Sequence, residues 1–70
     1  MTYQYTTQAQ LRAAFWRDHP SLAAEARFRG TITKGQNAQL TDTRVAFVEF
    51  VDSLARDGQI SEALAQRVTL

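Results

Sequence analysis

The sequence predicts an all-α fold: a small bundle of about four helices, with a central amphipathic helix and a C-terminal helix-turn-helix-like hairpin. Between residues 42 and 57, apolar side chains recur at the i, i+3, i+4 and i+7 spacing of one helix face. Glycine, proline and capping residues stand where separate helices would begin and end. The chain has 70 residues and no cysteine. We therefore expect one small helical domain, residues 1–70, without disulfides or thiolate metal ligands.

The N-terminal part of the chain predicts an extended arm followed by a first helix. Tyr3 and Tyr5 alternate with polar residues, which indicates either a short strand-like arm or an extended lead-in to the first helix. Thr7 and Gln10 have the spacing of a capping box, so we expect a helix from Gln8 to Asp18. The apolar face of this helix comprises Leu11, Ala14 and Phe15.

Trp16 has two interpretations. It follows Phe15 directly, so the two side chains point about 100° apart around the helix. Trp16 either lies at the margin of the core or anchors an interface from a partly exposed position, a role in which tryptophan is common.

Pro20 separates the first helix from a second one. The residue before a proline avoids helical backbone angles, so we expect the first helix to end near His19. Pro20 itself suits the first position of the next helix, and Gly30 suits its end. Glu25 and Arg29 have the i, i+4 spacing of a helical ion pair.

Phe28 and the segment 30–40 leave alternatives open. Phe28 lies between two arginines, and it either closes the core under the second helix or contributes to an interface. Residues 30–40 combine a Thr-Ile-Thr run, which favours extended structure, with a Lys-Gly turn. We expect a mostly irregular loop, and the alternative is an arm that pairs with Tyr3 and Tyr5. Loops of this length in small domains are often functional.

The third helix is predicted to form the centre of the fold. Thr41 or Asp42 would cap its start, and Asp52 and Arg56 have the spacing of an ion pair. Its core face comprises Phe47, Phe50, Val51 and Leu54. This face is widened by Val45, Val48 and Ala55. Such a broad apolar face is typical of a helix with neighbours on two sides.

The end of the third helix and the start of a fourth are marked by three residues. Gly58 suits the left-handed position just after a helix, and Ile60 would fold back onto the last turn. Ser61 fits the N-cap of a fourth helix that runs to Val68. The product is a hairpin of two packed helices.

The hairpin has two interpretations, a packing unit or a DNA-reading helix-turn-helix. In the second case the fourth helix must present side chains to the bases and phosphates. It offers Glu62, Gln66 and Arg67, whereas a phosphate-facing helix normally carries more lysine and arginine. We therefore favour the packing unit.

No residue pattern indicates catalysis or metal binding. His19 is the only histidine, and the adjacent Asp18 points elsewhere on a helix, so no base with an orienting partner is predicted. Asp57 and Gly58 match the middle of an EF-hand loop, but Ala55 and Leu64 stand where calcium needs oxygen ligands. The three glycines are too dispersed for a phosphate-binding loop. We expect a non-enzymatic protein without a cofactor.

Protein binding is the function that the composition favours. The net charge is only +1, which argues against a simple polyanion binder. Residues 1–40 carry five basic and two acidic side chains, a net +3, whereas residues 41–70 carry three and five, a net −2. Aromatic residues and arginine contribute most of the energy of protein interfaces. The candidate contact residues are Tyr3, Tyr5, Arg12, Trp16, Arg17, Arg27, Phe28, Arg29 and Lys34.

Two stretches resemble small uncharacterised proteins encoded by phages and integrated mobile elements of proteobacteria. They are the opening TTQAQLRAAFW and the C-terminal DTRVAFVEFVDSLARDGQISEALAQRVTL, and residues 25–40 do not match. The resemblance implies an origin in a mobile element and transfers no residue roles. Small proteins of this origin often bind a host or defence complex, as anti-CRISPR proteins do. The implied partner is a host protein or protein complex.

The remaining expectations concern other partners and location. A chain this small is marginally stable alone, so a homo-oligomer is a fair expectation. Nucleic acid, bound by the C-terminal hairpin of a small transcriptional regulator, is the alternative partner. The sequence has neither the start of a signal peptide nor an apolar run of membrane-spanning length. We expect a cytoplasmic protein of a bacterial host, with no membrane partner.

Overall fold

Four α-helices and one 3₁₀ helix succeed one another in the computed structural model, which describes residues 3–70 apart from the side chain of Gln36. They are α1 Gln8–Asp18, α2 Pro20–Arg29, the 3₁₀ helix Gln36–Ala38, α3 Thr41–Arg56 and α4 Glu62–Arg67. The predicted all-α bundle of four helices is confirmed, and no strand occurs within residues 3–70. Across the same residues, every helix is too short or too polar to cross a membrane. Residues 1 and 2, part of the predicted domain and N-terminal arm, lie outside the described residues.

The boundaries of α1 and α2 follow the predicted local signals. The Thr7 hydroxyl accepts a hydrogen bond from the Gln10 backbone N–H at 3.2 Å, and the Gln10 side chain accepts one from the Thr7 N–H at 3.2 Å. This reciprocal pair satisfies two donors that a helix start leaves free. His19 ends α1, and Pro20 begins α2. Gly30 ends α2 with a φ of 72°, a left-handed conformation that glycine adopts without steric cost.

The hairpin of α3 and α4 also forms as predicted. Gly58 has a φ of 72°, and the Gln59 N–H donates to the Leu54 carbonyl at 2.9 Å, which closes the end of α3. Ile60 is buried in the core cluster against which Leu54 and Ala55 of the last turn of α3 also pack. The Ser61 hydroxyl caps α4 by accepting from the Leu64 N–H at 3.1 Å.

Two predictions about the charged and polar side chains of α3 are wrong. The N-cap is Leu40, which makes no side-chain cap, so neither Thr41 nor Asp42 has the predicted capping role. The predicted pair of Asp52 and Arg56 is not among the ion pairs within residues 3–70, whereas the Glu25–Arg29 pair forms at 3.3 Å. Both α3 side chains are exposed. Exposed pairs on a helix contribute only about 0.3–0.5 kcal/mol, so solvation competes with them easily.

The centre of the core is Phe15 of α1, which is completely buried. Its ring lies 5.0 Å from the ring of Trp16, 4.4 Å from that of His19 and 5.2 Å from that of Phe47, centroid to centroid. A fourth ring, that of Phe50, lies 5.6 Å away. Most of these contacts are edge-on, the arrangement that aromatic rings prefer. Phe15 therefore joins α1 to α3, and α4 contributes Leu64 to the same core.

The predicted breadth of the apolar face of α3 is only partly correct. Phe47 and Val51 are buried, and Phe50 and Leu54 are partly buried against the same core. Val45 and Val48, in contrast, are 50% and 54% exposed. The prediction that α3 has neighbours on two sides is therefore wrong for the face that these two valines occupy.

Candidate interaction surface

A cleft of about 590 Å³ separates α1 from the connection between α2 and α3. One wall consists of Ala9, Arg12 and Trp16 of α1. The other wall consists of Ile32, Thr33 and Gly35, and Leu70 completes the lining. Trp16 is half-buried, and its ring packs against Phe15 at an interplanar angle of 64°. It therefore lies at the margin of the core, with one part in the cleft.

Arg12 is fixed in this cleft by two hydrogen bonds. Its Nε donates to the Thr69 carbonyl at 2.6 Å, and Nη2 donates to Gln8 Oε1 at 2.9 Å. The first bond links α1 to the last residues of the chain, where Val68 and Leu70 are buried. Arg12 thus combines a structural role with a position on the cleft wall, where its remaining N–H groups can still donate.

The opposite wall is held in place by Gln39, a residue that the sequence analysis did not identify. Gln39 is 7% exposed. Its amide donates to the Thr31 carbonyl at 2.6 Å and to the Gly35 carbonyl at 3.2 Å. The segment 30–40 is thereby folded into turns and a short 3₁₀ helix around one buried amide. The only signal in the sequence is a glutamine between an alanine and a leucine, a pattern that is too common to be informative.

Lys34 is placed beside the cleft by this folded segment. Its backbone N–H donates to the Thr31 carbonyl at 2.9 Å, and its neighbours on both sides, Thr33 and Gly35, line the cleft. Its side chain is exposed. Two sequence candidates, Arg12 and Trp16, therefore line the cleft from α1, and Lys34 lies in the segment 30–40 that forms its other wall.

The N-terminal arm packs on the α3–α4 turn rather than on the segment 30–40. The Gln4 N–H donates to the Gln59 carbonyl at 2.8 Å, so the alternative in which Tyr3 and Tyr5 pair with residues 30–40 is wrong. Tyr3 is 44% exposed. The arm places the Tyr5 hydroxyl next to α1.

Arg17 holds Tyr5 in this position. Its Nη2 donates to the Tyr5 hydroxyl at 3.0 Å, and its Nε donates to Asp18 Oδ1 at 3.2 Å. The hydrogen bond to Tyr5, and then that to Asp18, raise the pKa of Arg17 above its ordinary value. This side chain is about two-thirds exposed, so the bonds orient the guanidinium more than they stabilise the fold. Tyr5 and Arg17 form a polar site on the surface of α1 next to Trp16.

Phe28 is the most exposed large apolar side chain of the described residues, at 93%. The interpretation in which it closes the core under α2 is therefore wrong. The buried face of α2 consists of Ala23 and Ala26 instead. Arg27 and Arg29 flank Phe28 and are exposed, and Arg29 bonds to Glu25 through its Nε. The last turn of α2 thus presents one aromatic ring between two cations, at a place separate from the cleft.

The C-terminal hairpin offers little surface for binding nucleic acid. α4 has six residues, one of which, Leu64, is buried in the core. Its exposed polar side chains are Glu62, Gln66 and Arg67. A helix of six residues is about 9 Å long, which limits the number of bases it can reach. DNA binding stays a prediction, and no feature of α4 adds to it.

The chain was also compared with known proteins. No protein-family model, curated protein or solved structure matches it. The resemblance of its two ends to phage and mobile-element proteins stays a prediction, and the role of each residue is argued from its own chemistry and surroundings.

Proposed function

We propose that this protein is a non-enzymatic protein-interaction module that binds its partner with the last turn of α2. The observation that carries the proposal is the exposure of Phe28 between Arg27 and Arg29. We call these three residues the α2 tip. Phenylalanine is rarely left in water to this extent, and aromatic residues and arginine contribute disproportionately to the energy of protein interfaces.

The chemistry of the α2 tip defines the partner surface that fits it. Burying the Phe28 ring in an apolar pocket would contribute about 1.5–3 kcal/mol. The two flanking guanidinium groups favour carboxylates at the rim of that pocket, because arginine binds carboxylates through paired hydrogen bonds. The expected partner surface is therefore an apolar pocket with an acidic rim.

The cleft between α1 and the segment 30–40 provides a second contact. Trp16 and Ile32 offer apolar surface, whereas Arg12 and Lys34 add positive charge. The cleft and the α2 tip thus have the same chemistry, aromatic or aliphatic surface with cations. A partner that covers both would bury more area than the α2 tip alone, which favours a protein over a small molecule.

The identity of the partner rests on the resemblance to phage and mobile-element proteins. It implies a protein or protein complex of a bacterial host, and inhibition of a host defence complex, as anti-CRISPR proteins achieve it, is one form of this function. Inhibition by occupying a partner surface requires only affinity and correct placement, which agrees with a chain in which no catalytic group is predicted.

Affinity capture with purified tagged protein tests the proposal. The bait is incubated with lysate of a proteobacterial host, and the retained proteins are identified by mass spectrometry. The variant Phe28→Ala should lower the retained partner at least about tenfold, because truncation of a central aromatic contact typically costs more than 1–2 kcal/mol. The matched charge variants are Arg27→Ala, which should weaken capture, and Arg67→Ala on α4, which should not.

The outcomes separate the proposal from its alternatives. Retention of a specific protein by the wild type and its loss in Phe28→Ala support the α2 tip. Equal retention by the two proteins contradicts it. Retention of DNA that is lost in Arg67→Ala and not in Phe28→Ala would replace the proposal with the nucleic-acid alternative.

A further inference from the structure

The outer face of α3 is apolar, exposed and flanked by opposite charges. Val45 and Val48 are 50% and 54% exposed, and they lie in a shallow groove of about 360 Å³ whose remaining lining is Thr41, Arg44 and Glu49. We call these five residues the outer face of α3. Within residues 3–70, neither Arg44 nor Glu49 belongs to an ion pair. Two apolar side chains and two charges are thus available for contact.

The positions of these residues around the helix are nearly symmetric. At 100° per residue, Val45 and Val48 are separated by about 60°. Arg44 lies about 40° beyond Val48, and Glu49 lies about 40° beyond Val45. The apolar strip therefore has a cation along one side and an anion along the other, at equal angular distance from its midline.

This arrangement is complementary to a second copy of itself in one orientation. If two α3 helices pack side by side in parallel, a two-fold axis along them brings the cationic side of each onto the anionic side of the other. Arg44 of one copy then faces Glu49 of the second copy, which lies five residues further along the sequence. The symmetry of the dimer produces this contact twice. This is the relation between g and e positions of parallel coiled coils, with Val45 and Val48 at a and d.

The antiparallel orientation is not complementary. A two-fold axis perpendicular to the pair keeps each side of the strip against the same side of its copy. Arg44 then lies near Arg44 of the second copy, and Glu49 lies near Glu49, so like charges meet on both sides. The flanking charges consequently favour the parallel pair over the antiparallel one.

We propose that the outer face of α3 binds a second copy of this chain and forms a parallel, two-fold symmetric dimer. The interface is isologous, since the same patch serves both subunits. It is also weak, because only two valines per chain are buried in it, far from the area of a stable dimer. Asp52 follows one turn after Val48 on the same midline and would face its own copy. This repulsion sets the C-terminal limit of the contact.

The dimer does not depend on the proposed partner binding. The α2 tip and the outer face of α3 share no residue, so each can fail without the other. Loss of partner capture in Phe28→Ala leaves the dimer intact, and disruption of the dimer leaves the α2 tip exposed.

Sedimentation velocity over about 10 μM to 1 mM protein tests the dimer with exchanged charges. The wild type should show a concentration-dependent shift from monomer to dimer. Arg44→Glu and Glu49→Arg should each weaken the dimer about tenfold, because each replaces two attractive pairs with two repulsive ones. The double variant R44E/E49R should restore it. The control Arg27→Glu makes the same charge change on α2 and should leave the monomer–dimer equilibrium unchanged.

A gain of affinity supplies a second arm of the experiment. Asp52→Asn removes the like-charge contact that only the parallel pair contains, so it should tighten the dimer severalfold. In an antiparallel pair Asp52 lies at the level of Thr41 of the second copy, and the substitution would change little. All substituted residues are exposed, and far-UV circular dichroism verifies that the variants stay folded.

A wild type that remains monomeric to 1 mM overturns the proposal and leaves the outer face to another partner. A dimer that is insensitive to both single charge reversals also overturns it. Weakening by each single reversal, recovery in the double variant and tightening by Asp52→Asn support the parallel pair.

Discussion

Phe15 and Phe28 are the same residue type in neighbouring helices, and their surroundings are opposite. Phe15 is completely buried and touches four other rings, whereas Phe28 is almost completely exposed. Their positions on their helices explain the difference. Phe15 follows Leu11 and Ala14 at helical spacing and shares their buried face. Phe28 lies about 140–160° around α2 from Ala23 and Ala26, the residues that face the core.

This comparison shows that position outweighs residue type in assigning a role. A large apolar side chain on a helix with a small-residue core face is easily taken for core. On α2 the alanines pack close to the rest of the bundle, and the larger ring points away. Val48 and Val51 of α3 illustrate the same rule. They are three residues apart, and Val51 is buried in the core whereas Val48 is exposed to solvent.

The largest effect is expected for Phe15→Ala. Truncating a fully buried phenylalanine costs about 3–5 kcal/mol of unfolding free energy. A chain of 70 residues has a total stability of roughly 3.5–10 kcal/mol, so the variant should lose at least about a third of that stability. Urea titration followed by circular dichroism measures the loss. A cost below about 1 kcal/mol would contradict the central position of Phe15.

A smaller loss is expected for Gln39→Leu. The substitution keeps a side chain of similar size but removes the amide that donates to the carbonyls of Thr31 and Gly35. Both carbonyls keep a backbone donor, the N–H groups of Lys34 and Ala38, so the cost is that of two lost hydrogen bonds, about 0.5–1.5 kcal/mol each. Hydrogen exchange should also accelerate in residues 31–38, next to the cleft. Unchanged stability and exchange would show that another contact holds this segment.

A modest gain is expected for Leu40→Asp. Leu40 occupies the N-cap of α3 in an extended conformation, φ −64° and ψ 155°, and provides no cap. An aspartate there can accept from the free N–H groups of the first turn, which typically stabilises a helix by about 0.5–1 kcal/mol. Leu40→Ala is the control, since it removes the same apolar contact without adding a cap. Equal stability of the two variants would contradict the assignment of Leu40 as the N-cap of α3.

The smallest change in stability is expected for Phe28→Ala, the chemical counterpart of Phe15→Ala. Because the ring is 93% exposed, its removal should alter the unfolding free energy by less than about 0.5 kcal/mol. The same urea titration applies. A loss above about 1.5 kcal/mol would mean that Phe28 packs in the folded protein and is not available for a partner.

The helices could be predicted from the sequence because their signals are local. The capping box of Thr7, the Pro20 break and the left-handed glycines at 30 and 58 each act within one helical turn. The core face of α3 could also be predicted, since the spacing of Phe47 and Val51 requires only a regular helix.

The candidate surface could be predicted only in part, because it depends on which face each helix turns inward. The residue types of Arg12, Trp16 and Lys34 suggested contact, but the cleft that Arg12 and Trp16 line, and the place of Lys34 beside it, depend on the turns around Gln39. The exposure of Phe28 depends on the packing of α2 through its alanines. Val45 and Val48 looked like core because nothing in their spacing distinguishes an exposed strip from a second buried face.

Hydrogen exchange on the protein with and without its captured partner tests the location of function most directly. We expect the partner to slow exchange in residues 27–30, the end of α2, and in residues 31–35, the cleft wall. Exchange in α4 should be unchanged. Protection confined to α4, or to the outer face of α3 at protein concentrations where the dimer is absent, would contradict the assignment of partner binding to the α2 tip and the cleft.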